Sequence, residues 1–312
     1  MKKSFIKLIY FFLFCGLIYA GLIFIVGNFA PQDFKRNLIY LKGGYGHTFS
    51  RLQDASKQKK NDVLILGSSL AYRGLDTRIF AGNGLKAFNL GSSAQTPMQT
   101  KLLLNIYLDI IQPDKVIYVV APNDFTGNGL EASLDIVANL PEINFSTFSL
   151  LADNPQIKLF NTLLFSWLQS KTNFSLYDEP TRKGLDEYVR NGGFVERTVT
   201  YFEPVNKINF RTINVQEKQI EEFQEIMQIL RKNNIEVLIV RPPVTSHSYN
   251  SIKNNDDFAE KISDLGDFKD YNLSLKLTDS LHFYDSRHLN QIGVQEFTQA
   301  VIQDLKVNFK NL

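Results

Sequence analysis

The sequence is poor in the residues that build several common kinds of site. It has one cysteine, Cys15, which excludes an intramolecular disulfide and a zinc site made of several thiolates. Chemistry that needs an imidazole has few candidates, because there are only four histidines: His47, His247, His282 and His288. The net charge of +2, with no basic stripe, argues against a dedicated nucleic-acid binder.

The N-terminus has the pattern of a membrane anchor. Three lysines (Lys2, Lys3, Lys7) precede the uncharged run LIYFFLFCGLIYAGLIFIV. At 1.5 Å per residue, such a run nearly spans a hydrocarbon core of roughly 30 Å. A cleaved signal peptide is the alternative, but its apolar core would be shorter, and GNFAPQ is a poor cleavage site. We predict a single-pass anchor over residues 1–30 in the cytoplasmic (inner) membrane, with the remainder extracytoplasmic by the positive-inside rule.

The rest of the chain alternates strand-like and helix-like segments after a polar connector over residues 31–60. Five short apolar runs suit strands buried on both faces of a parallel sheet. They are Asp62–Gly67, Lys86–Gly91, Lys115–Pro122, Glu236–Pro243 and the weaker Tyr271–Leu277. We therefore predict an α/β domain over residues 61–312, a three-layer open parallel sheet of flavodoxin-like type with helices on both faces.

Residues 131–215 interrupt this alternation, and we interpret them as an insertion beside or over the sheet. Their aromatic side chains are expected to form a local core. A lid over the ligand-binding edge is the alternative, because the insertion follows a central strand.

The ends of the predicted strands carry polar residues suited to nucleophilic catalysis. Ligands of open α/β sheets bind beyond the carboxyl ends of the strands. Ser68 and Ser69 follow the first strand, and a serine hydroxyl needs a base within hydrogen-bond reach to act as a nucleophile. His288 can be that base if a carboxylate orients it, and Asp285 lies three positions earlier.

An acyl-transfer site also needs hydrogen-bond donors for the oxyanion of the tetrahedral intermediate. The N–H of Ser69, the N–H of Gly91 after the second strand and the side-chain amide of Asn123 after the third are our candidates. Gly91 suits this role because no side chain blocks approach to its N–H.

These blocks resemble the SGNH/GDSL hydrolase superfamily over about Asp62 to Leu312, outside the insertion. Ser69 matches the nucleophile of the family's Gly-Asp-Ser block, with Ser68 in place of the aspartate. Gly91 matches the oxyanion glycine, and Asn123 matches the asparagine of the Gly-x-Asn-Asp block, whose glycine is missing here. The Asp-x-x-His block is complete as Asp285 and His288.

The resemblance implies acyl-ester chemistry, by hydrolysis or by O-acyl transfer. Membrane-anchored members resemble proteins that O-acetylate exopolysaccharides and the DltD-like proteins of teichoic acid D-alanylation. We expect a cell-envelope polysaccharide as substrate and, for transfer, a membrane-bound O-acyltransferase as partner that delivers the acyl group. A secreted-side lipase or esterase, and a non-catalytic scaffold that binds carbohydrate or organises an envelope complex, remain alternatives.

Other residues have open assignments. Ser68 and Ser69 are also common helix N-caps. Arg73 and Arg241 either bind an anionic group of the substrate or form surface ion pairs, and His247 is a further candidate for substrate contact. His282 is the second candidate for the base, Asp124 is expected to be structural, and His47 is expected at the surface. We predict no metal and no cofactor.

Overall fold

The computed structural model describes residues 2–172, 177–204 and 208–308. Two short segments within the predicted insertion, and the last four residues of the predicted domain, lie outside the described residues.

The strands are β1 (Val63–Leu66), β2 (Ala87–Asn89), β3 (Lys115–Val119), β4 (Arg182–Lys183), β5 (Asp186–Val189), β6 (Phe194–Arg197), β7 (Glu236–Arg241) and β8 (Asp267–Asp270). The helices are α1 (Lys2–Phe29), α2 (Thr48–Ala55), α3 (Ser69–Tyr72), α4 (Thr77–Gly82), α5 (Pro97–Ile111), α6 (Leu130–Asn139), α7 (Ser149–Asp153), α8 (Ile157–Thr172), α9 (Glu217–Lys232), α10 (Ser246–Asn250), α11 (Asn255–Ser263), α12 (Tyr271–Ser274), α13 (Asp279–His282) and α14 (Gln291–Asn308).

Five of the strands form one parallel sheet in the order β2-β1-β3-β7-β8. The predicted open α/β fold is therefore confirmed, and the order is that of flavodoxin-like sheets. The switch point, where successive crossovers leave in opposite directions, lies between β1 and β3. The chain that follows β1 thus emerges at the place where ligands bind in such sheets.

Four of the predicted strands are confirmed and the fifth is wrong. The last strand is β8, and Tyr271, predicted inside a strand, begins the short helix α12. The Asp270 carboxylate accepts a hydrogen bond from the Asn272 N–H at 2.9 Å, which caps that helix and ends the strand. β8 has no apolar run because it is an edge strand whose residues are half-buried or exposed.

Alternating side chains of the sheet pack into two cores. Leu64 and Leu66 of β1 contribute to the core under α5 and α9, while Val63 and Ile65 contribute to the core under α14. All four side chains are fully buried. This two-sided burial explains why β1 is a continuous apolar run.

The connector and the insertion both border the carboxyl end of the sheet. Arg51 of α2, in the predicted connector, is 2 % exposed, and its guanidinium donates a hydrogen bond to the Gly91 carbonyl oxygen. In the insertion, β4, β5 and β6 form a separate antiparallel sheet. The turn between β5 and β6 reaches the edge of the main sheet, where the Asn89 N–H donates to the Gly192 carbonyl oxygen at 2.9 Å.

Candidate active site

Ser69 is held at the end of β1 by a backbone turn that requires glycine. Gly67 has φ of 136°, and a Cβ on it would lie 2.4 Å from the Val119 carbonyl oxygen of β3. The chain then turns so that Ser68 takes the N-cap position of α3, although its hydroxyl makes no capping hydrogen bond. Ser69 is the first helical residue and is half-buried. Its hydroxyl oxygen lies 2.9 Å from His288 Nε2.

The candidate base, His288, and its carboxylate, Asp285, share one tight loop before α14. An antiparallel bridge between Phe283 and Leu289 closes the loop, and the Tyr284 N–H donates to the His288 carbonyl oxygen at 3.1 Å. Within the loop, Asp285 Oδ1 accepts hydrogen bonds from the N–H groups of residues 287 and 288, both at 2.8 Å. The same carboxylate therefore shapes the loop and meets the imidazole.

The geometry of the pair assigns the tautomer of the histidine. His288 Nδ1 lies 2.9 Å from Asp285 Oδ2, and a carboxylate only accepts hydrogen bonds, so Nδ1 carries the proton. Nε2 is then free to accept the proton of the Ser69 hydroxyl. Burial would raise the pKa of Asp285, but hydrogen bonds from His288 and from the backbone lower it to about 2. The carboxylate is consequently ionised at neutral pH, as an orienting group in a triad must be.

Three candidate oxyanion donors lie at the ends of β1, β2 and β3. The N–H of Ser69 is in the first turn of α3, where helices leave N–H groups without intrahelical acceptors. Gly91 packs so closely that a Cβ on it would lie 2.9 Å from the Gly67 carbonyl oxygen, but its N–H donates to Asn89 Oδ1 at 3.1 Å. The Gly91 N–H would therefore have to be shared between Asn89 Oδ1 and an oxyanion.

Asn123 is half-buried in a 3₁₀ turn after β3, and no hydrogen bond of its side-chain amide is found within the described part of the chain. Its role as an oxyanion donor stays a prediction. The next residue, Asp124, is buried and accepts a hydrogen bond from the Ala121 N–H at 2.9 Å. Burial raises the pKa of Asp124 to about 6. The positive charge of Arg287 and the nearby Ser68 hydroxyl oppose this rise, although the Ser68 contact falls short of regular hydrogen-bond geometry.

One group beside the triad was not singled out from the sequence. The Tyr284 ring stacks on the His288 imidazole with ring centroids 5.4 Å apart and an interplanar angle of 5°. The Arg197 guanidinium of β6 lies 4.5 Å from the centroid of the same tyrosine ring. The insertion therefore contacts the residue that supports the base. Tyr284 directly precedes the Asp-x-x-His block, which is the only sequence signal that pointed to it.

The two arginines considered for substrate binding are both engaged by carboxylates. Arg73 donates two hydrogen bonds to Asp186 of β5, at 2.9 and 2.7 Å, close to the triad. Arg241 is 2 % exposed and pairs with Asp270 at 3.2 Å. Arg241 is thus engaged inside the fold rather than open to a substrate. His247 is half-buried at the start of α10, and its contact with substrate stays a prediction.

The remaining histidines have environments that differ from that of the triad. Both ring nitrogens of His282 are used: Nδ1 accepts from the Thr278 N–H at 2.9 Å, and Nε2 lies 3.2 Å from Glu296 Oε1. The expectation that His47 lies at the surface is wrong, since its exposed fraction is 1 %. It packs under the insertion and stacks on the Tyr188 ring, which the sequence pattern of the connector did not indicate.

His288 lines a small depression. Its lining includes Leu70, Arg73, Pro242, Pro243, Arg287 and His288. A larger cavity lies elsewhere, beside α11, and contains none of the triad residues.

No protein-family model matches the sequence, and no curated protein matches it. Similar solved structures include a GDSL-like lipase from Bacteroides thetaiotaomicron, with 11% identity, a TM-score of 0.40 and coverage of 84% of this chain and 100% of that chain. A lipase/acylhydrolase from Enterococcus faecalis has 13% identity, a TM-score of 0.40 and coverage of 80% and 97%. An acetyl xylan esterase has 15% identity, a TM-score of 0.41 and coverage of 79% and 99%. Similarity at this level does not identify an activity or a substrate for this chain. An assignment of activity has to come from the geometry of the site.

Proposed function

We propose that this chain is a serine-dependent esterase or O-acyltransferase of the SGNH type, anchored in the cytoplasmic membrane and acting on a cell-envelope polysaccharide. The observation that carries the proposal is the continuous hydrogen-bonded series Ser69–His288–Asp285, with contacts of 2.9 Å on both sides of the imidazole. Such a series converts a weakly nucleophilic hydroxyl into one that attacks an acyl carbonyl.

In the proposed reaction, Ser69 Oγ attacks the ester carbonyl while its proton passes to His288 Nε2. Asp285 stabilises the imidazolium that forms. The oxyanion accepts hydrogen bonds from the Ser69 N–H, with Asn123 and Gly91 as further candidate donors. Collapse of the intermediate breaks the ester bond, and His288 protonates the departing alcohol. A water molecule or a sugar hydroxyl then gives its proton to His288 and takes the acyl group from Ser69, and His288 returns that proton to Ser69 Oγ.

Two features favour a large extracytoplasmic substrate. The depression that His288 lines is small, so a substrate would have to reach the triad from outside it, as one residue of a long polymer can. α1 is long and apolar enough to cross a membrane, and the lysines at its N-terminal end favour a cytoplasmic N-terminus. The domain that carries the triad would then face the cell envelope.

The direct test is labelling of the full chain in detergent with a fluorophosphonate, with the adduct located by mass spectrometry. We expect the label on Ser69, and its loss in Ser69→Ala and His288→Ala. Ser68→Ala and His282→Ala are the matched controls, because they change the neighbouring hydroxyl and the other candidate base. Both should keep the label.

A folded chain that never labels, or a label that survives in His288→Ala, would remove the catalytic proposal and favour the non-catalytic scaffold. Once labelling is established, an activated acetyl ester offered with and without an oligosaccharide separates transfer from hydrolysis. Acetylated oligosaccharide would indicate transfer, and free acetate alone would indicate hydrolysis. Transfer in the cell would require a partner, such as a membrane-bound O-acyltransferase, because a single membrane helix cannot carry an acyl group across the bilayer.

A further inference from the structure

The outer half of the membrane helix is packed against one helix of the catalytic domain. Tyr19 of α1 donates a hydrogen bond to Asn161 Oδ1 of α8 at 2.5 Å, and Gln169 of α8 donates to Asn28 Oδ1 at 2.6 Å. The paired residues are 142 and 141 positions apart in the two contacts. A constant offset means that α8 runs parallel to α1, side by side, from the level of Tyr19 to the level of Asn28.

The length of α1 that is free of the domain is too short to cross a bilayer. Between Lys7 and Tyr19 the helix has roughly 11 apolar residues, which rise about 16 Å. The hydrocarbon core is roughly 30 Å thick. The bilayer must therefore extend along the part of α1 that is already packed on α8, and α8 is brought to the depth of the outer leaflet.

The face of α8 beside this contact is apolar and uncovered. Its side chains recur at helical spacing and form a stripe made of Ile157, Phe160, Leu164, Trp167 and Leu168. Ile157 is 55 % exposed, and Phe160 and Trp167 are each 39 % exposed. Lys171 follows the stripe, with its ammonium group 3.9 Å from Glu142, at the end where lipid headgroups would lie. Tryptophan is typical of this boundary region.

We propose that this apolar stripe of α8 lies in the outer leaflet, alongside the outer half of α1, as a second membrane contact of the catalytic domain. The stripe continues the apolar surface of α1, since the Phe160 and Tyr19 rings are 6.2 Å apart. Two contacts, α1 across the bilayer and α8 alongside its outer half, fix the orientation of the domain on the membrane. The inference requires α1 to be inserted, but it does not require the triad to be active.

The chain carries its own probe for this contact, because Trp167 is its only tryptophan. The full chain is reconstituted in phosphatidylcholine vesicles, and its membrane insertion is checked by co-flotation. Its emission is then compared in vesicles with and without lipids brominated near the headgroup end of the acyl chains. We expect roughly twofold quenching by the brominated lipid and weak quenching by iodide in the water.

Two variants locate the effect on the stripe. Phe160→Trp in a Trp167→Phe background moves the probe along the stripe, and quenching by the brominated lipid should persist. Leu273→Trp in the same background places the probe on α12, where the native side chain is 76 % exposed, and iodide should quench it instead.

The proposal would be overturned if the chain floats with the vesicles but Trp167 is quenched by iodide and not by the brominated lipid. The stripe would then be a candidate surface for a protein partner. Equal quenching of the α12 probe by the brominated lipid would also overturn it, because the contact would not be specific to α8. If the chain does not float with the vesicles, both the membrane anchor and the membrane contact of the stripe are refuted. Loss of fluorophosphonate labelling alone would count only against the proposed activity.

Discussion

Two histidine–carboxylate pairs occupy different regions of this chain, and comparing them shows which surroundings suit the proposed base. At the sheet edge, His288 lies 2.9 Å from Asp285 and presents its other nitrogen to Ser69. Under the insertion, His47 lies 3.8 Å from Glu179, and both side chains are almost fully buried. The residue types are equivalent, but the surroundings are not.

The difference lies in what else each carboxylate binds. Glu179 is paired with Lys183 and accepts a hydrogen bond from the Ser50 N–H at 2.7 Å, so its charge is already compensated. His47 has neither ring nitrogen hydrogen-bonded within the described ranges, and burial lowers its pKa, which keeps it neutral. The buried pair holds the connector to the insertion. A reactive pair needs an uncompensated carboxylate and a hydroxyl at the opposite nitrogen.

The largest effect is expected from breaking the pair at the sheet edge. Asp285→Asn keeps the shape of the loop residue but removes the charge that orients and stabilises the imidazolium. We expect ester turnover to fall about 10³–10⁴-fold, with the melting temperature little changed because the aspartate side chain is 45 % exposed. Glu179→Gln is the matched change in the buried pair and should lower the melting temperature while the folded protein keeps its turnover. A reversal of these two outcomes would refute the division of roles.

The second prediction concerns pH and the buried region. Thr48, next to His47, has its hydroxyl oxygen 2.6 Å from both the Tyr45 carbonyl oxygen and the Asp135 carboxyl group. One hydroxyl proton serves only one of these acceptors, so a protonated Asp135 can donate the second hydrogen bond. Burial raises the pKa of Asp135 to about 7, against the opposing effects of Thr48 and Arg51.

Because this pKa is raised on folding, the stabilisation by protonated Asp135 is complete below about pH 4 and is lost as the pH rises through about 7. Asp135→Asn imitates the protonated group at every pH. Between about pH 4 and pH 7, the free energy of unfolding of the variant should therefore fall by about 2–4 kcal/mol less than that of the wild type. Chemical unfolding followed by Trp167 fluorescence at several pH values measures this slope. An unchanged slope in the variant would show that Asp135 is ionised throughout.

The smallest effect is expected from the tyrosine that links the two regions. Tyr284 stacks on His288 and contacts Arg197 of the insertion. Tyr284→Ala frees the imidazole to leave its productive orientation, and we expect kcat to fall about tenfold, or about 1.4 kcal/mol, with KM unchanged. Tyr284→Phe keeps the stacked ring and should restore kcat. If the phenylalanine variant is as slow as the alanine variant, the hydroxyl rather than the ring matters.

The elements that the sequence predicted well are those whose signal is local. β1, β2, β3 and β7 are buried on both faces or nearly so, and each is visible as a continuous apolar run. β8 was misplaced because an edge strand needs no such run. The burial of His47 and the contact of Arg197 with Tyr284 were not predictable, since both depend on where the hairpin of β5 and β6 packs, and no local pattern records that position.

The sequence by itself determined the long apolar N-terminal helix, the strand–helix alternation and the polar blocks at the strand ends, because these follow from periodicity and from the residues that cap and turn a chain. The sequence marked Ser69, Asp285 and His288 as candidates, but only the tertiary structure brings the serine to the histidine. Ser69 and His288 are 219 positions apart, and they meet because the order of the parallel strands places the end of β1 beside the loop before α14. The contact between α8 and α1 has the same origin, since two apolar helices far apart in sequence can be matched only when the whole chain is folded.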